Sequence, residues 1–155
     1  DEVRVFVDYA HTDDAIVNVL AGVRPEVPPD AALIIVFGAG GDRDRTKRPR
    51  MMRAALDGAD RVVVTSDNPR TEPPEAIVAE IVAACDAGRL DRIHPEVDRS
   101  LAIDHAIATA DPGDVIVIAG KGHEDYQIVG TERRHFDDVE VAAAALARRR
   151  GEAAL

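Results

Sequence analysis

The chain is poor in several residue types, and each scarcity removes a class of explanation. It has one cysteine, Cys85, so an internal disulfide is excluded. With no Cys or His at ligand spacing, this thiol reads as a helix-packing residue rather than a metal ligand. No apolar run approaches the ~18 residues that a membrane-spanning helix needs, and the first residues show no basic-then-apolar leader pattern. A soluble cytoplasmic protein with no membrane partner is therefore expected. Positive charge is also in deficit. The formal net charge is −10, and without a basic stripe to neutralise phosphates, general nucleic-acid binding is not expected. Lysine is scarcer still: 17 of the 19 basic residues are arginine, and the two lysines, Lys47 and Lys121, each stand beside a glycine-containing strand exit.

What is present is one domain's worth of chain. A length of 155 residues with 46% hydrophobic content is enough to bury roughly two-thirds of the unfolded surface in one core. Apolar runs of high β-propensity recur at Val3 to Val7, Leu33 to Phe37, Arg61 to Thr65 and Val115 to Ala119, and a short strand is expected near Arg92 to His94. Helical spacing fills the gaps. Asp13 to Val23 follows Thr12 as N-cap, with Asp13 and Asp14 at the positive end of the dipole. Arg48 to Leu56 has Pro49 in its first turn; Pro74 to Cys85 and Asp98 to Thr109 follow, and a last helix opens at Asp137, an Asp N-cap with Glu140 three residues on. Alternating strands and helices imply right-handed crossovers and a parallel sheet covered on both faces. The expected fold is a doubly wound, Rossmann-like α/β domain whose sheet is mostly parallel. Tyr126 to Val129 and Glu132 to Phe136 form a hairpin that supplies an antiparallel edge strand near the C-terminus. There is no internal repeat or low-complexity segment.

In such a sheet, ligands bind outside the carboxyl ends of the strands. Four loops fall there: "DYAHT", "GAGGDRDRTKRP", "TSDNPR" and "GKGHEDYQ". Neither nucleotide fingerprint is met. A third glycine of G-x-G-x-x-G would fall on Arg43, and a P-loop would need Ser or Thr where Gly122 follows Lys121. Gly38, Gly40 and Gly41 read either as a plain βα turn or as a close approach to a ligand. Arg43, Lys47 and Arg48 read either as a solvated helix start or as cations awaiting an anion, since positive charge is unfavourable at a helix N-terminus. Arg70 offers a planar fork for a carboxylate, and Asn68 can donate and accept at once, with Pro69 limiting how far the two wander. Asp67 is an acceptor for an ammonium or a simple Asx turn. Glu124 is a second ammonium acceptor, beside Gly120, which permits close approach; His123 alone reads as structural. Together these groups form a detector for a zwitterion. Asp8 suits ribose hydroxyls, while Tyr9 and His11 pack on a flat ring or serve as packing and capping groups.

The motifs "DYAHTDD", "GAGGDRDRTKRPRM", "TSDNPRTEPPEAI" and "GKGHEDYQIVG…HFDDVEVA" resemble, in order and spacing from Asp8 to about Ala142, the C-terminal domain of the Mur ligases. The resemblance is strongest to the branch that adds meso-diaminopimelate to UDP-N-acetylmuramoyl-L-alanyl-D-glutamate in peptidoglycan synthesis. It implies that residues 1–155 are one domain of a three-domain, ATP-dependent amide ligase. The UDP-sugar dipeptide, the ATP phosphates and Mg2+ would be held mainly on the other two domains. It further implies that Arg43, Asn68, Arg70, Gly120 and Glu124, with Asp67 beside them, bind meso-diaminopimelate, and that Asp8, Tyr9, His11 and Lys47 contact ATP. No catalytic residue and no metal ligand are assigned within the chain. Asp13 and Ala39 depart from the family, which usually has proline and commonly cysteine there. The alternatives are a non-catalytic α/β module that senses an amino acid or nucleotide, and a sister ligase of the D-Ala-D-Ala-adding or folylpolyglutamate type.

Overall fold

The computed structural model describes residues 2–152. Five parallel strands form the main sheet: β1 (Arg4–Asp8), β2 (Leu33–Phe37), β3 (Arg61–Val64), β4 (Ile93–Pro95) and β5 (Val115–Ala119), in the spatial order β1-β5-β2-β3-β4. The helices are α1 (Asp13–Val23), α2 (Lys47–Gly58), α3 (Pro74–Val82), α4 (Arg99–Thr109) and α5 (Asp138–Arg149). Two 3-10 segments, Arg24–Glu26 and Ala87–Arg92, carry no apolar periodicity to announce them.

Every residue of β2 and β5 is buried, which explains why both are continuous apolar runs rather than alternating ones. The pleat divides them. Leu33, Ile35, Phe37, Val115, Val117 and Ala119 join Ile16, Leu20, Met51, Met52, Leu56, Ile77 and Ile81 on the face covered by α1, α2 and α3. Ile34, Val36, Ile116 and Ile118 join Ile103, Ile107, Ala142 and Ala145 on the face covered by α4 and α5. Each such Leu, Ile or Val contributes about 1.5–3 kcal/mol by leaving water.

The connections place a ligand crevice. From β1 the chain steps through α1, α2 and α3 on one face to reach β4, then returns through α4 on the other face to insert β5 between β1 and β2. The adjacent strands β2 and β5 thus send their chains to opposite faces, which leaves a gap above their carboxyl ends. The two expected caps form, Thr12 Oγ1 accepting from Ala15 N and Asp137 Oδ1 from Val139 N and Glu140 N, and Asp98, expected inside its helix, caps α4 by accepting from Leu101 N. The helix expected to run to Cys85 stops at Val82, and Cys85 is a half-buried thiol at the margin of the core.

The antiparallel pair near the C-terminus is present as β6 (Tyr126–Val129) and β7 (Glu132–His135), but as its own two-stranded sheet instead of an edge of the main one. All four residues of β7 are exposed and charged or polar, so the hairpin has no second apolar face to bury. Its one β-type pairing with the rest of the fold, among the described residues, is an isolated parallel bridge between Val129 and Arg70. That attachment matters for the site.

Candidate functional site

The cavity above the switch point has a volume of about 380 Å³ and is lined from four strand exits. Tyr9 and His11 come from the loop after β1, Gly40, Arg43 and Lys47 from the loop after β2 and the start of α2, Asp67, Asn68 and Arg70 from the loop after β3, and Gly120 and Glu124 from the loop after β5. Nine of the ten residues expected at a site therefore share one cavity. Arg70 and Glu124, the two opposite charges, are among them.

Two loops approach so closely that only glycine fits. A Cβ on Gly38 would lie 2.2 Å from the Thr65 carbonyl oxygen, and one on Gly41 would lie 1.8 Å from that of Pro69. Gly41 N also donates to the Asn68 carbonyl at 2.8 Å. The sequence leaves open a plain turn or a close approach to a ligand; what Gly38 and Gly41 allow here is the close approach of neighbouring backbone. The clasp continues through Asp42, whose carboxylate accepts from Thr71 N and Thr71 Oγ1 and whose own N–H donates to Glu72. The two bonds from Thr71 hold the Asp42 carboxyl below the usual carboxylate range.

Asp42 and Arg70 are the two non-glycine residues with left-handed backbone among the described residues, at φ 55° and 52°. Such a conformation costs of order 1–3 kcal/mol and persists only where the surroundings dictate it. At Arg70 they do: its N–H donates to Ile128 O at 3.0 Å and its carbonyl accepts from Gly130 N at 2.6 Å, which ties it to β6. One end of its guanidinium donates to Gly41 O at 3.0 Å and Asn68 O at 3.4 Å. Among the described residues, the other end has no hydrogen-bond acceptor.

Asn68 is 7% exposed. Its Oδ1 accepts from Lys121 Nζ at 3.0 Å and from Ile128 N at 2.9 Å, and its Nδ2 has no acceptor among the described residues. Asp67 Oδ1 lies 3.1 Å from Lys121 Nζ as an ion pair, and its carbonyl accepts from Gln127 Nε2. The Glu124 carboxylate and the Lys47 ammonium have no hydrogen bond or ion pair among the described residues. Arg43 donates through one guanidinium nitrogen to the Asp42 carbonyl at 3.0 Å. The rim is aromatic: Tyr9, 48% exposed, meets His11 edge-on at 4.7 Å between ring centroids and lies near-parallel to His123 at 6.4 Å. Gly122, at φ 56°, leaves the room that Tyr9 occupies.

Asp8 is placed differently. It does not line the cavity; its carboxylate accepts from Ala10 N at 2.8 Å, and its carbonyl accepts from Gly120 N and Gly122 N. It joins the loop after β1 to the loop after β5.

Beneath the loops lie three buried cations. The sequence does not single out Arg99 and singles out Lys121 only as a rare lysine. Arg48, read from the sequence as a solvated helix start or a cation awaiting an anion, is instead buried against Glu72 and Glu80. Arg48, 1% exposed, donates to Gly40 O and to Glu72 and Glu80. Burial opposes its charge, but the two carboxylates outweigh this and raise its pKa. Arg99, 1% exposed, pairs with Asp138 at 2.8 Å and donates to Ser66 O and Ala119 O. Lys121, fully buried, holds Asp67, Asn68 and Tyr126 O; burial pulls its pKa down, against Asp67. Each cation fixes the backbone of a site loop.

The fold and cavity define a doubly wound α/β domain that brings cationic and anionic side chains to one cavity at its switch point. Residues 1–122 match the family described as Mur ligase, glutamate ligase domain, and the chain belongs to the Mur ligase family. It is 55% identical over 150 residues to the UDP-N-acetylmuramoyl-L-alanyl-D-glutamate–2,6-diaminopimelate ligase of Trichormus variabilis, covering 96% of this chain and 29% of that protein. To the enzyme of the same name from Parasynechococcus marenigrum it is 57% identical over 145 residues, covering 94% and 28%. A solved structure of a ligase of that name superposes with a TM-score of 0.90 at 48% identity, over 97% of this chain and 30% of that one. The folylpolyglutamate synthase of Mycobacterium tuberculosis, solved with ADP and AMPPCP, shares the fold at a TM-score of 0.56 and 24% identity. The chain thus spans less than a third of the length of these relatives.

Proposed function

We propose that this chain is the C-terminal domain of a three-domain ligase that couples ATP cleavage to the addition of meso-diaminopimelate to UDP-N-acetylmuramoyl-L-alanyl-D-glutamate. The observation that carries this reading is the convergence of Arg70, Asn68 and Arg43 with Glu124 and Asp67 on one cavity from three separate loops. The free guanidinium edge of Arg70 and the Asn68 Nδ2 meet a carboxylate of the amino acid, and Glu124 meets an ammonium. Tyr9, His11 and Lys47, at the rim, face the nucleotide.

In the reaction, the glutamate carboxylate takes the γ-phosphoryl group of ATP to give an acyl phosphate and ADP. The amine then attacks the acyl carbon, the carbon–oxygen bond to phosphate breaks, an amide forms, and the amine loses its proton. The contribution of this domain is positioning, which makes the attack effectively unimolecular. By the family resemblance, Mg2+ and the ATP phosphates belong to the central domain of the full-length ligase. A cytoplasmic location accompanies this reading; no helix among the described residues is long and apolar enough to cross a membrane.

The test is amide formation by the full-length ligase that carries this chain. Losing a charge-assisted pair worth roughly 1.5–3 kcal/mol raises the KM for meso-diaminopimelate by at least about tenfold in Arg70→Ala, with the KM for ATP little changed. Lysine lacks the distal carboxylate and leaves Arg70 unpaired, so it is a poor substrate. An unchanged diaminopimelate KM refutes the role of Arg70, and equal turnover of lysine refutes the specificity.

A further inference from the structure

The ammonium of Lys121 is turned to acceptors of the protein itself. Its contacts are Asn68 Oδ1 at 3.0 Å, Tyr126 O at 2.9 Å and Asp67 Oδ1 at 3.1 Å, and the side chain is fully buried. What it does to Asn68 is more specific than packing. An asparagine amide can flip, presenting either its oxygen or its NH2 to a given side. Here the inner side faces two groups that can only donate, the Lys121 ammonium and the Ile128 backbone N–H. A flipped amide would set NH2 against both, so the oxygen is held inward and the NH2 is presented to the cavity that Asn68 lines. The same ammonium engages one oxygen of Asp67. The other lies on the side of Gly120, where a Cβ would come within 3.6 Å of it.

We propose that Lys121 is a positioning residue that sets the polarity of the Asp67–Asn68 pair: it makes Asn68 an obligate donor toward the cavity, and so a reader of the substrate carboxylate, and keeps Asp67 an acceptor for the substrate ammonium. This rests on the diaminopimelate reading above and assigns to a side chain that touches no ligand the choice of which end of the zwitterion goes where.

Two measurements test it separately from that reading. In the isotope-labelled 155-residue chain, a coupling across the hydrogen bond between the Ile128 amide nitrogen and the Asn68 side-chain carbonyl carbon shows the oxygen inward. Its absence overturns the orientation, whatever the substrate proves to be. In the full-length ligase, Lys121→Met and Asn68→Ala are made singly and together. Each raises the diaminopimelate KM by at least about tenfold and leaves the ATP KM within about twofold. If Lys121 acts through Asn68, the double variant is no more than about threefold worse than the poorer single one, whereas multiplying effects overturn the proposal.

Asn68→Asp covers the case in which Lys121→Met fails to fold. It keeps an acceptor for Lys121 and Ile128 and therefore folds, but turns a carboxylate oxygen toward the cavity. Its diaminopimelate KM rises at least as far as that of Asn68→Ala, and a wild-type value overturns the proposal. A wild-type ligase that ignores diaminopimelate defeats the functional reading and leaves the coupling measurement standing.

Discussion

At the scale of single residues, the site is made by atoms that exclude alternatives. A methyl group on Gly41 would overlap the Pro69 carbonyl, at 1.8 Å, and backbone cannot swing aside as a long side chain can. Gly41→Ala therefore separates the two loops, and its stability in urea falls by more than about 2 kcal/mol, the scale of overpacking in a closed site. Gly130, at φ 63° with nothing within 4 Å of where a Cβ would stand, is the control: Gly130→Asn carries only a modest conformational cost and shifts the midpoint little. Equal losses at the two positions would contradict the close-approach argument. Arg99 and Asp138 are both fully buried and paired through two 2.8 Å bonds. Asp138→Ala strands a guanidinium in the core and costs about 3–5 kcal/mol in the same assay; a loss below about 1 kcal/mol, the value of a surface pair, would count against it. The polar residues at the strand exits were legible in the sequence because their chemistry is written in their side chains. The inward partners were not, since a buried lysine or arginine looks like an exposed one until tertiary structure supplies its acceptors. Asp8 and Lys121 mark that limit: the first reads as a ligand group and is placed as a loop tie, and the second stands out in the sequence only for its rarity.

At the scale of elements, helices and central strands follow from period and caps, and their ends differ from expectation by only a few residues where no cap dictates them, as at Val82. The strand β4 is different. Three residues long, it pairs, among the described residues, with β3 alone, and α4 meets it where His94 and His105 stack at 3.5 Å between centroids with planes 9° apart. Burial, then the neighbouring His94 and Arg61, lower the pKa of His105, while Glu96 acts in the opposite sense. The sign of the pH effect follows. Well above pH ~6.5, the ordinary histidine value, both folded and unfolded chains hold this ring neutral and the stack carries no penalty. As pH falls through that value the unfolded chain takes up the proton first, so stability declines until the lowered folded pKa is passed and the ring titrates in both states. Urea midpoints measured at about pH 7.5 and about pH 5.5 therefore drop further in the wild-type protein than in His105→Phe, which keeps a flat ring against His94 and cannot titrate. Equal drops would show that the stack has no part in the acid response.

At the scale of the whole molecule, the strand order was the least legible property, because nothing local in Val115–Ala119 says that it inserts between β1 and β2 rather than adding at an edge. That insertion creates the switch point and gives the domain two regions of unlike stability. The apolar centre, β2 and β5 with the helices on either face, is buried throughout and opens only with the molecule. The hairpin of β6 and β7 is held instead by polar attachments: the Arg70–Val129 bridge, Ile128 N to Asn68, Gln127 to Asp67, and Lys121 to Tyr126 O. Every one of these ends on the loop after β3, which lines the cavity, or on the lysine beneath it. Occupying the cavity should consequently order the hairpin at a distance, since a ligand that binds only the closed form stabilises it by mass action. In native-state hydrogen exchange, β2 and β5 exchange at the rate of global unfolding, and β6 and β7 exchange faster through local opening. Saturating meso-diaminopimelate then slows the amides of Arg70 and Gly130, which pair across the bridge, and of Ile128, which donates to Asn68 Oδ1, more than those of β2. Protection that is uniform across both regions without ligand, or a ligand effect that spares Ile128, would mean that hairpin and site are not coupled.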